Sequence, residues 1–162
     1  MGQPSIGDSE YYNNKRIEGE MFEGFVYAKL EHLLGIEINS CDTKKEQFDI
    51  GENYFGMEIK NDEASERTGN LFVEYQEKSK STNENWVHSG IFRNDNSWLY
   101  LIGNTKAFYI FSIKDLRIAY NAKDVSDEPK HERKMCNMGT SWGFLLKGKK
   151  EINEYVLKTI TL

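Results

Sequence analysis

Residues 48–60, Phe-Asp-Ile-Gly-Glu-Asn-Tyr-Phe-Gly-Met-Glu-Ile-Lys, constrain the fold more than any other stretch of the chain. They read as two short strands around a tight glycine-containing turn, with Asp49 on the first strand and Glu58 and Lys60 on the second. Successive strand side chains point to opposite faces, so Glu58 and Lys60 share a face with Tyr54 and Gly56, while Phe55, Met57 and Ile59 turn toward a core. Two acids and a lysine are thereby expected to converge on one half-buried surface.

Carboxylates gathered in this way repel one another and resist desolvation. A divalent cation removes the conflict. Magnesium takes a few carboxylate oxygens and keeps several waters, a set that Asp49, Glu58 and the backbone carbonyl of Ile59 supply, and manganese is expected to substitute for it. Lys60, two residues or roughly 6.5 Å along the strand from Glu58, reaches the same pocket. The Glu-x-Lys triplet is uninformative alone, since it recurs at Glu128-Lys130 and Glu132-Lys134, with a near-match at Asp42-Thr43-Lys44. Only the Glu58 copy lies in an apolar, period-two segment that follows a partner acid across a turn.

Around this centre the pattern predicts an α/β fold. Residues 1–15 are polar and are expected to form a flexible arm, and 16–34 an amphipathic helix that buries Ile17, Met21, Phe22, Phe25, Val26, Leu30, Leu33 and Leu34 and ends at Gly35. Glu20 and Glu23 are neighbours on one flank of that helix, either able to look into the site. A short strand is expected at 36–38, a charged connection at 40–46 and a polar loop at 61–70. Residues 71–76 alternate as a third strand, with Glu74 and Gln76 either joining Glu58 and Lys60 or standing on an exposed face.

The long connection 77–89 carries Lys78, Lys80, Trp86 and His88, a composition suited to a phosphate backbone and a stacked base. The other reading of Trp86 is an indole folded onto the core. A hairpin over 98–111, a helix over 112–119, a charged excursion over 121–137 and a strand over 142–146 follow. Lys147, Lys149 and Lys150 form a basic cluster before a last segment, 151–160, that is helix or partly strand.

The chain of 162 residues, 38% hydrophobic, is expected to hold one domain over 16–162. A formal net charge of −5 argues against a protein that coats nucleic acid by bulk attraction. Two cysteines, Cys41 and Cys136, are too few for a disulfide framework, and His32, His88 and His131 are too scattered to share a metal. No apolar run approaches a membrane span and no signal pattern opens the chain, which places it inside a cell.

Asp49 followed by Glu58-Ile59-Lys60 resembles the signature of the PD-(D/E)XK nuclease superfamily, the fold of many restriction enzymes and of archaeal-type Holliday-junction resolvases. Gly19-Glu20-Met21-Phe22-Glu23 is similar to the start of the helix that carries an extra acid in the resolvase branch, which singles out Glu23. Thr68-Gly69-Asn70-Leu71-Phe72-Val73-Glu74 and Ser89-Gly90-Ile91 leading to Trp98 resemble a small phage-type subgroup. The likeness spans about residues 16–116, and Phe48 stands where the motif has proline.

The resemblance implies a restriction-endonuclease-like core of αβββαβ type, a mixed sheet flanked by helices. It implies a Mg2+-dependent endonuclease acting on DNA in recombination or repair, in a cytoplasm (the host's, for a phage-encoded chain). A homodimer cutting two strands symmetrically is implied too. Asp49, Glu58, Lys60 and Glu23 would be catalytic, and Lys60→Ala is expected to abolish cleavage with little loss of folding. With no separate recognition domain in view, the substrate is expected to be selected by its structure. An RNA endonuclease and an inactive nucleic-acid-binding or assembly protein on the same fold stand as alternatives.

Overall fold

The computed structural model describes residues 6–125, 134–137 and 139–161. Helix α1 (Ile6–Leu34) takes in residues 6–15, expected as part of a flexible arm. Arg16 reaches back to Asn13 at 3.1 Å, and Lys15–Glu18 at 2.5 Å and Arg16–Glu20 at 2.6 Å link the turns where the helix had been expected to start. Phe22, Val26 and Leu30 recur every four residues and are buried in one line. That line is narrower than the expected stripe, and Ile17, Met21, Leu33 and Leu34 are exposed. Gly35, at φ 66°, closes the helix as expected.

Phe48 and Asp49 do not form a strand. Thr43 and Glu46 make a reciprocal capping box, Thr43 Oγ1 accepting from the Glu46 N–H and Glu46 Oε2 from the Thr43 N–H, both at 3.1 Å. This satisfies the first N–H groups of α2 (Lys44–Asp49), and the expected first strand becomes the end of that helix. The strand expected at 36–38 is also missing; the nearest pairing is an isolated bridge between Ser40 and Asn53.

Onward run β1 (Met57–Asn61), α3 (Ala64–Thr68) within the expected polar loop, β2 (Leu71–Glu77), β3 (Val87–His88), a 3₁₀ turn (Gly90–Phe92), and the hairpin β4 (Leu99–Gly103) and β5 (Ala107–Ser112). Then come α4 (Ile113–Val125), longer than expected, β6 (Lys134–Asn137), β7 (Ser141–Leu146), α5 (Gly148–Tyr155) and β8 (Val156–Thr161). The last segment is therefore helix and strand in succession. Of the charged excursion over 121–137, residues 126–133 lie outside the described residues.

Among the described residues the strands form two four-stranded sheets, ordered β1-β4-β5-β8 and β3-β2-β7-β6. The first is mixed, β1 running parallel to β4 and the other pairs antiparallel; the second is antiparallel throughout. The expectation of a mixed sheet flanked by helices holds. The consecutive strands β1 and β2 belong to different sheets.

Alternation along the first sheet divides the core. Met57, Ile59, Leu101 and Phe108 meet Phe22, Val26 and Leu30 of α1 on one face. Tyr100, Ile102 and Phe111 face the other way, into a larger cluster with Leu71, Val73 and Phe144 of the second sheet, Leu116 of α4 and Ile152 of α5. Glu58, between Met57 and Ile59 on β1, consequently points away from α1. No helix among the described residues is long and apolar enough to cross a membrane.

Thr43→Ala removes one half of the capping box, a loss of about 1 kcal/mol. Calorimetry should show a melting temperature lower by about 2–4 °C for a domain of this size. Were residues 48–49 a strand, the substitution would leave it unchanged.

Candidate active site

Strand β1 carries two charged residues into the interior. Glu58 is 0% exposed, and Lys60 Nζ stands 2.9 Å from its Oε1 and 3.4 Å from Glu74 Oε1. The Lys60 contact is an ion pair without the direction of a hydrogen bond, so Glu58 Oε1 is buried with no directed donor. On its other oxygen, Oε2, Glu58 meets Arg93 Nη1 at 3.4 Å, and the same Nη1 is 3.5 Å from Glu52 Oε1. A buried carboxylate thus has one cation on each side.

Glu74 reaches this group from the second sheet, at a register shift of β2 between Glu74 and Gln76. Asp62, at the end of β1, accepts from the N–H of Phe72 at 2.9 Å and so joins the two strands. The buried Tyr100, register partner of Glu58, accepts from the N–H of Glu74 at 3.3 Å. Ser89 Oγ donates to Glu74 Oε1 at 2.8 Å. Gly90 follows at φ 49°, where a Cβ would lie 2.1 Å from the Glu74 carbonyl oxygen. The Ser89-Gly90 pair is therefore fitted to Glu74: a hydroxyl to hold its carboxylate and no side chain to push its backbone off.

The third contribution is a buried polar chain between α1 and β1. Asn53, 0% exposed, clamps the backbone of Met57, donating to its carbonyl at 2.7 Å and accepting from its N–H at 3.0 Å. Its Nδ2 also donates to Tyr27 Oη at 3.1 Å, and Tyr27 Oη donates to Glu23 Oε1. Glu23 is thereby fixed beside Glu52, and the two line both of two adjoining grooves of ≈ 560 Å³ each. Glu52 Oε2 accepts from the Ile59 N–H at 3.2 Å, which places it along the open edge of β1.

The charges are strongly coupled. Burial, then the neighbouring Glu58 carboxylate, push the Glu52 carboxyl up to about 8, Lys60 opposing and Glu23 adding to the rise. Burial also raises Glu23, against the Tyr27 hydrogen bond, with Glu58 and Glu20 raising it further. Burial alone would lower Lys60, but Glu58, Glu74 and Glu52 outweigh it and hold the ammonium charged well beyond the usual lysine range. Glu74 is pushed up by burial and brought below the ordinary glutamate value by Lys60 and by hydrogen bonds from Ser141 and Ser89.

Set against the sequence, the structure brings Glu58, Lys60 and Glu74 together and adds Glu23 at the rim. Asp49 is exposed at the end of α2 and outside the group, because the capping box makes helix where a strand had been expected. Glu52 stands in the place expected for Asp49. Glu20 stays in solvent, paired with Arg16. Gln76 pairs in register with His88 and Trp142, beyond the register shift that separates it from Glu74. Lys60→Ala, expected to leave folding nearly intact, would strip a cation from a buried carboxylate, a loss of about 3–5 kcal/mol.

Sequence reasoning missed Glu52, Arg93, Tyr27 and Asn53. A Glu six residues before Glu58, beyond a glycine, was the one local sign of Glu52; Arg93 carried none. Among the described residues no three His, Cys, Asp or Glu are drawn into a metal-holding group, so the set expected from Asp49, Glu58, Ile59 and Glu23 is not assembled. What suits a divalent cation is the donor chemistry: a buried Glu58 oxygen without a directed donor and, beside it, Glu52, whose carboxyl is raised by burial and by crowding with Glu58 and Glu23, a conflict that a cation relieves.

Of the residues expected to bind nucleic acid, Lys78 Nζ lies 4.6 Å over the Trp86 ring and donates to the Asn83 carbonyl at 2.8 Å. Trp86 is half-buried against Trp142, ring centres 6.0 Å apart, which favours its packed reading, and Lys80 is exposed. Lys78 lies four residues along β2 from Glu74, about 13 Å. Lys147, Lys149 and Lys150 are exposed beyond the other end of β2, where Leu71 pairs with Leu146. Comparison of the chain with protein families, curated proteins and solved structures finds no match.

The raised Glu52 carboxyl sets a sign for stability against pH. The fold holds a proton from the unfolded value, 4.5, up to about 8 that the unfolded chain has released. Stability is thus fully present below the lower value and lost as pH rises through the upper one, by up to about 1.4 kcal/mol per pH unit. Glu74, shifted the other way, acts below this window. The melting temperature should fall by several degrees between pH 5.5 and 8, and Glu52→Gln should flatten the slope; equal slopes in the two proteins would remove Glu52 from the account.

Proposed function

We propose that the chain is a divalent-metal-dependent nuclease that hydrolyses phosphodiester bonds in DNA, selecting its substrate by structure, on a restriction-endonuclease-like core. The observation that carries this reading is the Lys60 ammonium held 2.9 Å from a fully buried Glu58 and 3.4 Å from Glu74, beside a groove lined by Glu23, Glu52 and Lys60. Buried ion pairs add little net stability, so charges gathered at a groove point to chemistry more than to folding.

Glu58 and Glu52 would hold Mg2+ or Mn2+, which supplies Lewis acidity and a more acidic bound water. Lys60, kept charged by its three glutamates, places positive charge where the phosphate oxygens gain negative charge as water attacks phosphorus and the ester oxygen leaves. Glu74 fixes the direction of Lys60, being itself held by Ser89 and Ser141. Glu23, oriented by Tyr27, is the group at the groove for aligning the water. The resemblance of Glu58-Ile59-Lys60 and Ser89-Gly90-Ile91 to the nuclease superfamily supports the same class.

The position of Asp49 favours a second reading. With that acid outside the group, the chain would bind nucleic acid without cutting it.

Glu58→Gln with Lys60→Met removes both charges while keeping shape, and leaves Glu74 held by the Ser89 and Ser141 hydroxyls. In a panel of branched, duplex and single-stranded DNA and RNA with Mg2+, Mn2+ or chelator, the wild-type chain should cut DNA only with metal. The double variant should melt normally and be at least 1,000-fold slower, of the order lost with a charge-stabilising group. Binding without cleavage by the wild type would establish the second reading, and preferential RNA cleavage would change the substrate.

A further inference from the structure

Arg93 is held closely on one side and loosely on the other. Its Nη1 is shared between Glu58 Oε2 at 3.4 Å and Glu52 Oε1 at 3.5 Å, well beyond the ~2.7–2.9 Å of a strong guanidinium–carboxylate bond. On its other side Nε is 2.9 Å from Asp95 Oδ2 and Nη2 donates to the Gln47 carbonyl at 3.2 Å. Asp95 is 1% exposed and its Oδ2 has no directed hydrogen bond, so it is a partner held ready for a fuller contact. The guanidinium is thus anchored by Asp95 and Gln47 and only leans on the two glutamates. It is 30% exposed and lines a groove together with Glu23 and Glu52, open to an arriving ion.

From this asymmetry we infer that Arg93 is an exchangeable counter-ion, which stands between Glu52 and Glu58 until a divalent cation enters there and then withdraws onto Asp95. This rests on the metal-dependent reading above. No bond between heavy atoms changes: one positive group leaves the space between the two glutamates, the Glu52 proton goes to solvent, and the divalent cation takes the place. The metal affinity of the site is then the difference between two cations competing for the same oxygens.

Mn2+ binding to the full chain, followed by electron paramagnetic resonance, tests the exchange. Arg93→Gln should bind Mn2+ about tenfold more tightly than wild type, the scale of one unit charge removed from a partly wet site, and Glu58→Gln should lose binding. Equal or weaker binding by Arg93→Gln, with wild-type binding intact and lost in Glu58→Gln, overturns the exchange and leaves the metal-dependent reading standing. No Mn2+ binding by wild type overturns both. If Arg93→Gln does not fold, the wild type still decides: the Arg93 Nε–H resonance, assigned from Arg93→Lys, should shift through a Mg2+ titration, and a resonance unmoved at saturation overturns the proposal.

Discussion

A carboxylate that is completely shut off from solvent organises this molecule. Glu58 stands in β1 between Met57 and Ile59, which are claimed by α1, so alternation commits its side chain to the opposite face, between the two sheets. A charge in that position is costly by several kcal/mol unless paired. Lys60 and Arg93 meet the demand from opposite sides, and each draws in further acids: Lys60 brings Glu74, and Arg93 brings Glu52 and Asp95. The site is the set of residues needed to keep one buried charge tolerable.

The supporting elements follow from the same requirement. Tyr100, directly beside Glu58 in register, is buried and holds the backbone of Glu74 with its hydroxyl. Asn53 takes the place of a missing edge strand, pairing with both backbone groups of Met57 and passing a hydrogen-bonded connection through Tyr27 to Glu23. Two conformational specialities sit close by. Gly90 lets the chain pass against the Glu74 carbonyl, and Gly56, at φ 70°, turns under Trp98, where a Cβ would lie 2.6 Å from the ring.

Parts of this were legible in particular residues. The alternation in Leu71 to Glu77 put Glu74 opposite Val73 and Tyr75, and the structure buries the latter two while Glu74 meets Lys60. The hairpin over β4 and β5 was visible from its apolar runs and intervening turn. Helix α1 was visible from residue 16 onward, but its first turns were not, because residues 6–15 are mostly polar, contain Gly7 and Asn13-Asn14, and leave no apolar stripe. The misreading of Phe48-Asp49 has a local cause as well: the capping signal Thr43-x-x-Glu46 was present and outweighs the apparent alternation that follows it.

By itself the sequence determined that Glu58 and Lys60 share a face, that Glu74 leaves its strand on the polar side, and that α1 offers Glu23 on its flank. These are consequences of the two-residue and 3.6-residue repeats, which operate within a single element. Only the tertiary structure decided that β1 pairs with β4 and not with β2, and that Arg93, 35 residues beyond Glu58, shares its carboxylate. It also put Glu52 in the place expected for Asp49. Such choices depend on which apolar faces close on one another, and no periodicity within a segment records its partner across the core.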